Sequence, residues 1–218
     1  MKTITIEKND AGQRLDKFLT KTFRNLPVSM MYKYIRQKDI KLNGRRCQIS
    51  DRLREGDVLT LYVRDEFLEK TPPVYDFLSA SRRLDIVYED ANLLLLDKKA
   101  GLLVHPDAGE YGDTLIGRVQ RYLYEKGEYD PEREQAFAPA LVNRIDRNTS
   151  GIVIAAKNAE ALRILNDKLR NREIHKYYLC IVHGLPEPRE ATLEGYLEKN
   201  EEQNRVYILK KAKTGART

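Results

Sequence analysis

Two adjacent prolines, Pro72 and Pro73, interrupt this chain a third of the way along. Proline has no amide hydrogen and disfavours helix in the residue before it, so neither a helix nor a central strand runs through the pair. They sit in "DEFLEKTPPVYDFLSASRR", residues 65–83, where charges of both signs alternate. That stretch predicts a linker with some local structure, joining a small unit over 1–64 to a larger one over 84–218 and letting the two shift. A chain of 218 residues is long enough for each unit to have its own core.

The two parts differ in charge. Residues 1–64 carry 15 Lys and Arg against 7 Asp and Glu, and the remainder 24 against 26, within a net charge of +6. A basic head on a nearly neutral body points to a polyanion partner, with a merely solvated basic face as the alternative. Hydrophobic residues at 41% and charged residues at 33% exclude a disordered chain and predict a soluble, globular one. No segment approaches the roughly 18 apolar residues of a membrane span, and "MKTITIEKND" lacks the apolar core of a signal peptide. Cys47 and Cys180 lie far apart in unlike contexts, which predicts free thiols in a reducing cytoplasm. His105, His175 and His183 complete no spaced Cys/His set, so no metal is expected.

In the basic head, Leu15, Phe18, Leu19 and Phe23 fall on one face of a helix. "LPVSMMYKYIRQKD" predicts a second helix capped by Ser29, with Met31, Tyr34 and Ile35 inward and Lys33, Arg36 and Lys38 outward. "IKLNGRRC" reads as a hairpin turning at Asn43-Gly44, and "LREGDVLTLYV" as further strand introduced by a Gly-Asp turn. The stretches "RLDKFL", "LPVSMMYKYIRQKDIKLNG" and "EGDVLTL" resemble the RNA-binding module named after ribosomal protein S-four. The resemblance implies that the second helix and the hairpin present Lys33, Arg36, Lys38, Lys41, Arg45 and Arg46 to structured RNA.

Past Leu84, "DIVYED", "NLLLLDK", "ALVNRID", "SGIVIAAK" and "KYYLCIVHG" read as strands. "DTLIGRVQRYLYEKG" and "NAEALRILNDKLRNRE" carry helical spacing, the latter with Asn158 as its cap. This predicts an α+β domain around a mixed or antiparallel sheet. Within it, "VNRIDRNTSG" sets Arg144 and Asp146 two residues apart. In an extended segment those two share a face, so a cation and a carboxylate stand side by side. A nearby cation keeps a carboxylate ionised, as a nucleophile or proton acceptor requires. A structural ion pair is the plain alternative.

The wider stretch "ALVNRIDRNTSGIVIAAKN" is similar to the central motif of the RluA-type pseudouridine synthase family, roughly His-Arg-Leu-Asp-x-x-Thr-Ser-Gly. Upstream, "IVYEDANLLLLDKKAGLLVHP" resembles that family's first strand pair and its Asp-Lys-Pro-x-Gly-x-x-x-His-Pro turn; downstream, "HKYYLCIVHG" resembles its Lys-x-Tyr motif. The resemblance implies isomerisation of uridine to pseudouridine in RNA, without a cofactor. It implies Asp146 as the catalytic carboxylate, either attacking the anomeric carbon or removing a sugar proton. Arg144 would hold the target base out of the stack, and Tyr178 would pack on the uracil. Thr149, Ser150 and Gly151 shape the turn, while Lys98 and His105 support the site or are exposed. Asn143 stands where the family more often has His, and Lys99 where it often has Pro. The family pattern continues beyond "KKAKTGART" with another strand pair and an arginine that pairs with the aspartate, so the resemblance implies a C-terminally incomplete catalytic domain. Large-subunit ribosomal RNA is favoured over transfer RNA as the substrate. Two other classes remain open: a non-catalytic RNA-binding assembly factor, and a nucleosidase or glycosidase, which would need a second carboxylate across the bond.

Overall fold

The structure, a computed structural model, describes residues 1–69, 75–107, 112–200 and 205–209. The middle of the expected linker, Pro72 and Pro73 included, lies outside them. The chain divides into two units, Met1–Ile174 and His175–Thr218.

The first unit opens with strand β1 (Lys2–Thr5), followed by helices α1 (Leu15–Thr22) and α2 (Val28–Gln37). Strands β2 (Ile40–Leu42), β3 (Arg45–Arg46) and β4 (Val58–Leu61) complete an antiparallel sheet in the order β1-β4-β2-β3. Asn43 and Gly44 turn the β2–β3 hairpin with φ of 52° and 73°, a left-handed pair open to asparagine and glycine at low cost. Leu15, Phe18, Leu19 and Phe23 are all fully buried, joined by Met31 and Ile35 from α2 and by Ile40, Leu59 and Leu61 from the sheet. The cap of α2 differs from expectation. Pro27 occupies that position and Ser29 lies inside the first turn, because proline's fixed φ already suits a helix start.

A short helix α3 (Asp65–Leu68) and a 3₁₀ turn over Asp76–Ser79 supply the local structure of the linker region. Next come strands β5 (Ile86–Glu89) and β6 (Leu93–Lys98), helix α4 (Leu115–Glu125), strands β7 (Ala140–Leu141) and β8 (Gly151–Ala156), and helix α5 (Ala159–Arg170). The strands form a second antiparallel sheet, β5-β6-β8-β7. Alternation along β6 and β8 sends Leu94, Leu96, Val153 and Ala155 to one face, where Leu115, Val119 and Leu123 of α4 cover them. Thr114 and Asn158 cap α4 and α5, accepting from the amides of Gly117 and Ala161. The α+β class with antiparallel sheets is therefore what the chain adopts.

These two cores do not simply hang on a linker. The Asn9 side-chain Nδ2 donates to Glu134 Oε1 at 2.9 Å and its Oδ1 accepts from the Ala159 backbone amide at 3.3 Å. Gln135 donates to the Thr5 carbonyl, Arg163 to the Ala11 carbonyl, and Ala136 packs on the N-terminal core. Asp10 is buried at this seam. Burial, with the charges of Glu134 and Glu7, raises its carboxyl to about 6. The expected freedom to shift is thus opposed by a bonded seam.

Two expected strands differ. "ALVNRID" is strand only at Ala140–Leu141, and "KYYLCIVHG" has no helix or strand. In the second unit the regular structure among the described residues is an antiparallel pair of strands, β9 (Tyr196–Asn200) and β10 (Arg205–Leu209), which the local sequence pattern does not reveal. Cys47 is a buried free thiol and Cys180 an exposed one. Among the described residues no helix is long and apolar enough to cross a membrane.

Candidate active site

Strand β7 ends early, and the chain then runs as a loop from Val142 to Ser150 before entering β8. Ile145 is partly buried against the core of the second sheet, while Arg144 and Asp146 on either side of it are exposed. The expected alternation therefore holds without a strand. The apolar residue points in and the cation and carboxylate share the solvent side. They do not form an ion pair with each other among the described residues; an exposed guanidinium and carboxylate gain little from contact that water does not already supply.

The cation that lies beneath this loop is Lys98, at the end of β6. It is 1% exposed, and its ammonium donates to the carbonyls of Leu102 at 2.8 Å, Arg147 at 2.9 Å and Lys99 at 3.1 Å. Burial pushes the ammonium below the usual lysine range, and the Asp146 carboxylate acts against that shift. Three carbonyls satisfy all three of its hydrogens, which is how a buried ammonium is tolerated. The Gly101 amide also donates to the Arg147 carbonyl at 2.8 Å. Residues 98–102 thus clamp the loop that carries Asp146. Lys98 was legible only as a supporting residue; its burial was not, since lysine is rarely fully buried.

The Thr149 amide donates to the Asp146 carbonyl at 3.1 Å, and Gly151 follows with φ 130°, a conformation that side-chain-bearing residues rarely adopt. Those residues shape the turn, as their types suggest. His105 lies close enough for the Arg144 guanidinium to add to the effect of burial in lowering its imidazole. A cavity of about 380 Å³ lies beside residues 98–102, lined in part by Arg83, Asp85, Asp113 and Arg118. Asp146 is not part of that lining, and the cavity's charges are largely paired, Arg118 with Asp113 and Lys99 with Asp97. Among the described residues no group of three or more His, Cys, Asp or Glu could hold a metal ion.

Tyr178 belongs to the second unit, where it is 59% exposed in a stretch without regular structure. In the N-terminal module Lys33, Arg36, Lys38, Arg45 and Arg46 are exposed. Lys41 is partly buried, its ammonium 5.3 Å from the centre of the Tyr62 ring, so it is held by an aromatic face that its place in the hairpin pattern does not announce.

Comparison with known proteins follows the same division. Residues 13–59 match the S4 domain, and residues 92–218, more than half of the chain, match the RNA pseudouridylate synthase family. The chain is 38% identical to an uncharacterized RNA pseudouridine synthase of Mycoplasma capricolum over 83% of this chain and 59% of that protein. It is 35% identical to ribosomal large subunit pseudouridine synthase C of Vibrio cholerae, over 94% of this chain and 63% of that one. With the Salmonella typhi protein of the same name it shares 31% identity over 99% of this chain and 65% of that one. The chain thus spans about three fifths of the length of the curated relatives it matches. Matched to that family over more than half of its length, with an S4 domain in front, this chain belongs to the RNA pseudouridylate synthase family.

Proposed function

We propose that this chain isomerises uridine to pseudouridine in structured RNA, with Asp146 as the catalytic carboxylate. The observation that carries the reading is the placement of Asp146: exposed to solvent on a loop that is anchored on its inner side by Ile145 and by the Lys98 ammonium through the Arg147 carbonyl. A catalytic group needs access and a fixed position together, and that loop supplies both.

In the proposed reaction the bond from the ribose anomeric carbon to uracil N1 breaks, the base rotates, and carbon five bonds to the sugar. The hydrogen leaving carbon five is replaced by one at N1, so atoms balance without a redox partner or cofactor. Asp146 acts on the ribose. Arg144, on the same side of the loop, enters the space the base leaves, and Tyr178 packs on the uracil ring. Taking a base out of its stack costs a few kcal/mol, least in loops and bulges. Lys33, Arg36, Lys38, Lys41, Arg45 and Arg46 hold the RNA backbone. The names of the relatives favour large-subunit ribosomal RNA as the substrate, and a cytoplasmic location goes with it.

Tritium release from RNA labelled at carbon five of uridine tests the reading. Wild type releases tritium, and Asp146→Ala loses the signal while still binding RNA. Equal residual release by both removes Asp146 from the mechanism. RNA binding without release from wild type favours an assembly factor, and free uracil as product favours a hydrolase. Charge removal at Lys33 and Arg36 tests the binding face: each cation that no longer neutralises a phosphate lowers the slope of log affinity against log salt by about 0.7–0.9.

A further inference from the structure

β7 pairs with β8 through Ala140↔Ala156 and Leu141↔Ala155, so the next pair along the ladder would be Val142 with Ile154. Half of that pair forms: the Val142 amide donates to the Ile154 carbonyl at 2.8 Å. The returning bond does not come from the Val142 backbone. The Ile154 amide donates instead to the side-chain Oδ1 of Asn143 at 2.8 Å, and the Asn143 Nδ2 donates to the Ile152 carbonyl at 3.2 Å. In an extended antiparallel pairing those two partners would be the Val142 carbonyl and the Arg144 amide. One carboxamide, carrying an acceptor and a donor, takes the place of both.

We infer that Asn143 is a positioning residue: its side chain closes the β7–β8 ladder in the backbone's stead, so that the main chain leaves the sheet before Arg144 and presents Asp146 from a fixed base. The inference rests on the proposed role of Asp146. Had the backbone continued its pairing, residues 144–146 would lie in the ladder as ordinary strand. Were the pairing simply to end, the Ile154 amide and Ile152 carbonyl would have to find water, and the loop's root would be loose. The side-chain bridge avoids both outcomes. Ile145 then anchors the loop two residues on, and Lys98 holds its far end at Arg147. The loop is thus fixed at its root, middle and far end, and Asn143 is the first of the three.

Three variants separate this from a general packing role. Asn143→Leu keeps bulk and removes both bonds. Asn143→Asp keeps an acceptor for the Ile154 amide and sets a second oxygen against the Ile152 carbonyl. Asn143→His, neutral at pH 8, carries one donor and one acceptor again. The expected result is a fall in kcat of about tenfold to a hundredfold for Asn143→Leu, the scale of a small misplacement of a catalytic group, with KM for RNA unchanged. Asn143→His recovers part of the loss and Asn143→Asp falls below it. A rise in KM with constant kcat, or wild-type kcat in Asn143→Leu beside an inactive Asp146→Ala, overturns the inference and leaves the catalytic reading standing. Turnover by Asp146→Ala sinks the catalytic reading. Hydrogen exchange of the full chain without RNA decides the positioning claim independently. Asn143→Leu speeds exchange at Ile154 and across residues 144–150 while Val153 and Ala155 stay protected. Unchanged exchange there overturns it.

Discussion

The loop from Val142 to Ser150 and the segment from His175 to Gly184 both fall in stretches that resemble motifs of one enzyme family, yet they reach different physical states. The loop has no regular structure but is tied at every turn: Asn143 to β8, Ile145 to the core, and the Arg147 carbonyl to Lys98 and Gly101. The segment has a stronger strand pattern, with Tyr177, Leu179 and Ile181 alternating with Tyr178, Cys180 and Val182. It nonetheless has no regular structure, and Leu179 and Ile181 are fully exposed. Alternation states which face a strand would bury; it supplies neither the ladder partner nor the apolar surface. Order in the loop comes from groups distant in sequence, and these have no counterpart in the pattern of the loop itself.

The sharpest way to break the comparison is to remove the loop's buried cation. Lys98→Met retains the aliphatic stem and takes this donor from the carbonyls of Lys99 and Leu102, while the Arg147 carbonyl keeps only the Gly101 amide. At about 1–3 kcal/mol for each buried polar group left unpaired, and the lower end of that range for two part-buried carbonyls, the loss is about 2–3 kcal/mol, read by chemical denaturation. The matching change in the segment, Lys176→Met, is an exposed substitution and stays within about 0.5 kcal/mol. Equal effects would mean that the loop owes its order to something other than this clamp.

The same contrast explains what could be read beforehand. α1 and α2 were legible because their apolar residues recur on one face and meet a sheet of matching period, and Leu15, Phe18, Leu19, Met31 and Ile35 are all buried. That Arg144 and Asp146 share a face was legible from the two-residue period; that the face is exposed was not. β1 was not seen, since "KTIT" gains its identity only by pairing with Val58–Leu61. Asn143 stood out only as a departure from a motif. Its bonds to Ile152 and Ile154 need the register of β8, which no local pattern specifies. The seam at Asn9, Asp10 and Glu134 joins positions over a hundred residues apart through loops, where neither period applies.

That seam gives the next largest effect and differs from the loop in its response to pH. The Asp10 carboxyl is raised from 3.8 to about 6 in the folded chain. A group raised in this way contributes stability that is fully present below its unfolded value and lost as pH rises through the folded one. Wild type therefore loses about 2 kcal/mol between pH 4 and pH 7 on this account, at 1.36 kcal/mol per unit with some relaxation at the seam. Asp10→Asn does not titrate, so its stability relative to wild type increases across the same window. Denaturation at pH 4, 6 and 8 measures the difference. A constant offset between the two proteins at all three values would remove the buried carboxyl as its source.

The smallest effect bears most directly on the two motif segments. Ile145 is partly buried against the core of the second sheet, so Ile145→Ala costs about 1–2 kcal/mol, below the 2–5 of a fully buried site. Leu179 touches too little to matter, and Leu179→Ala stays within about 0.5 kcal/mol although leucine and isoleucine are similar in size. Side by side, the two variants ask whether apolar character or apolar contact stabilises a motif. If Leu179→Ala costs as much as Ile145→Ala, the segment has a packed state in solution, and its strand pattern has found the partner that the loop obtains from Asn143, Lys98 and the core of the second sheet.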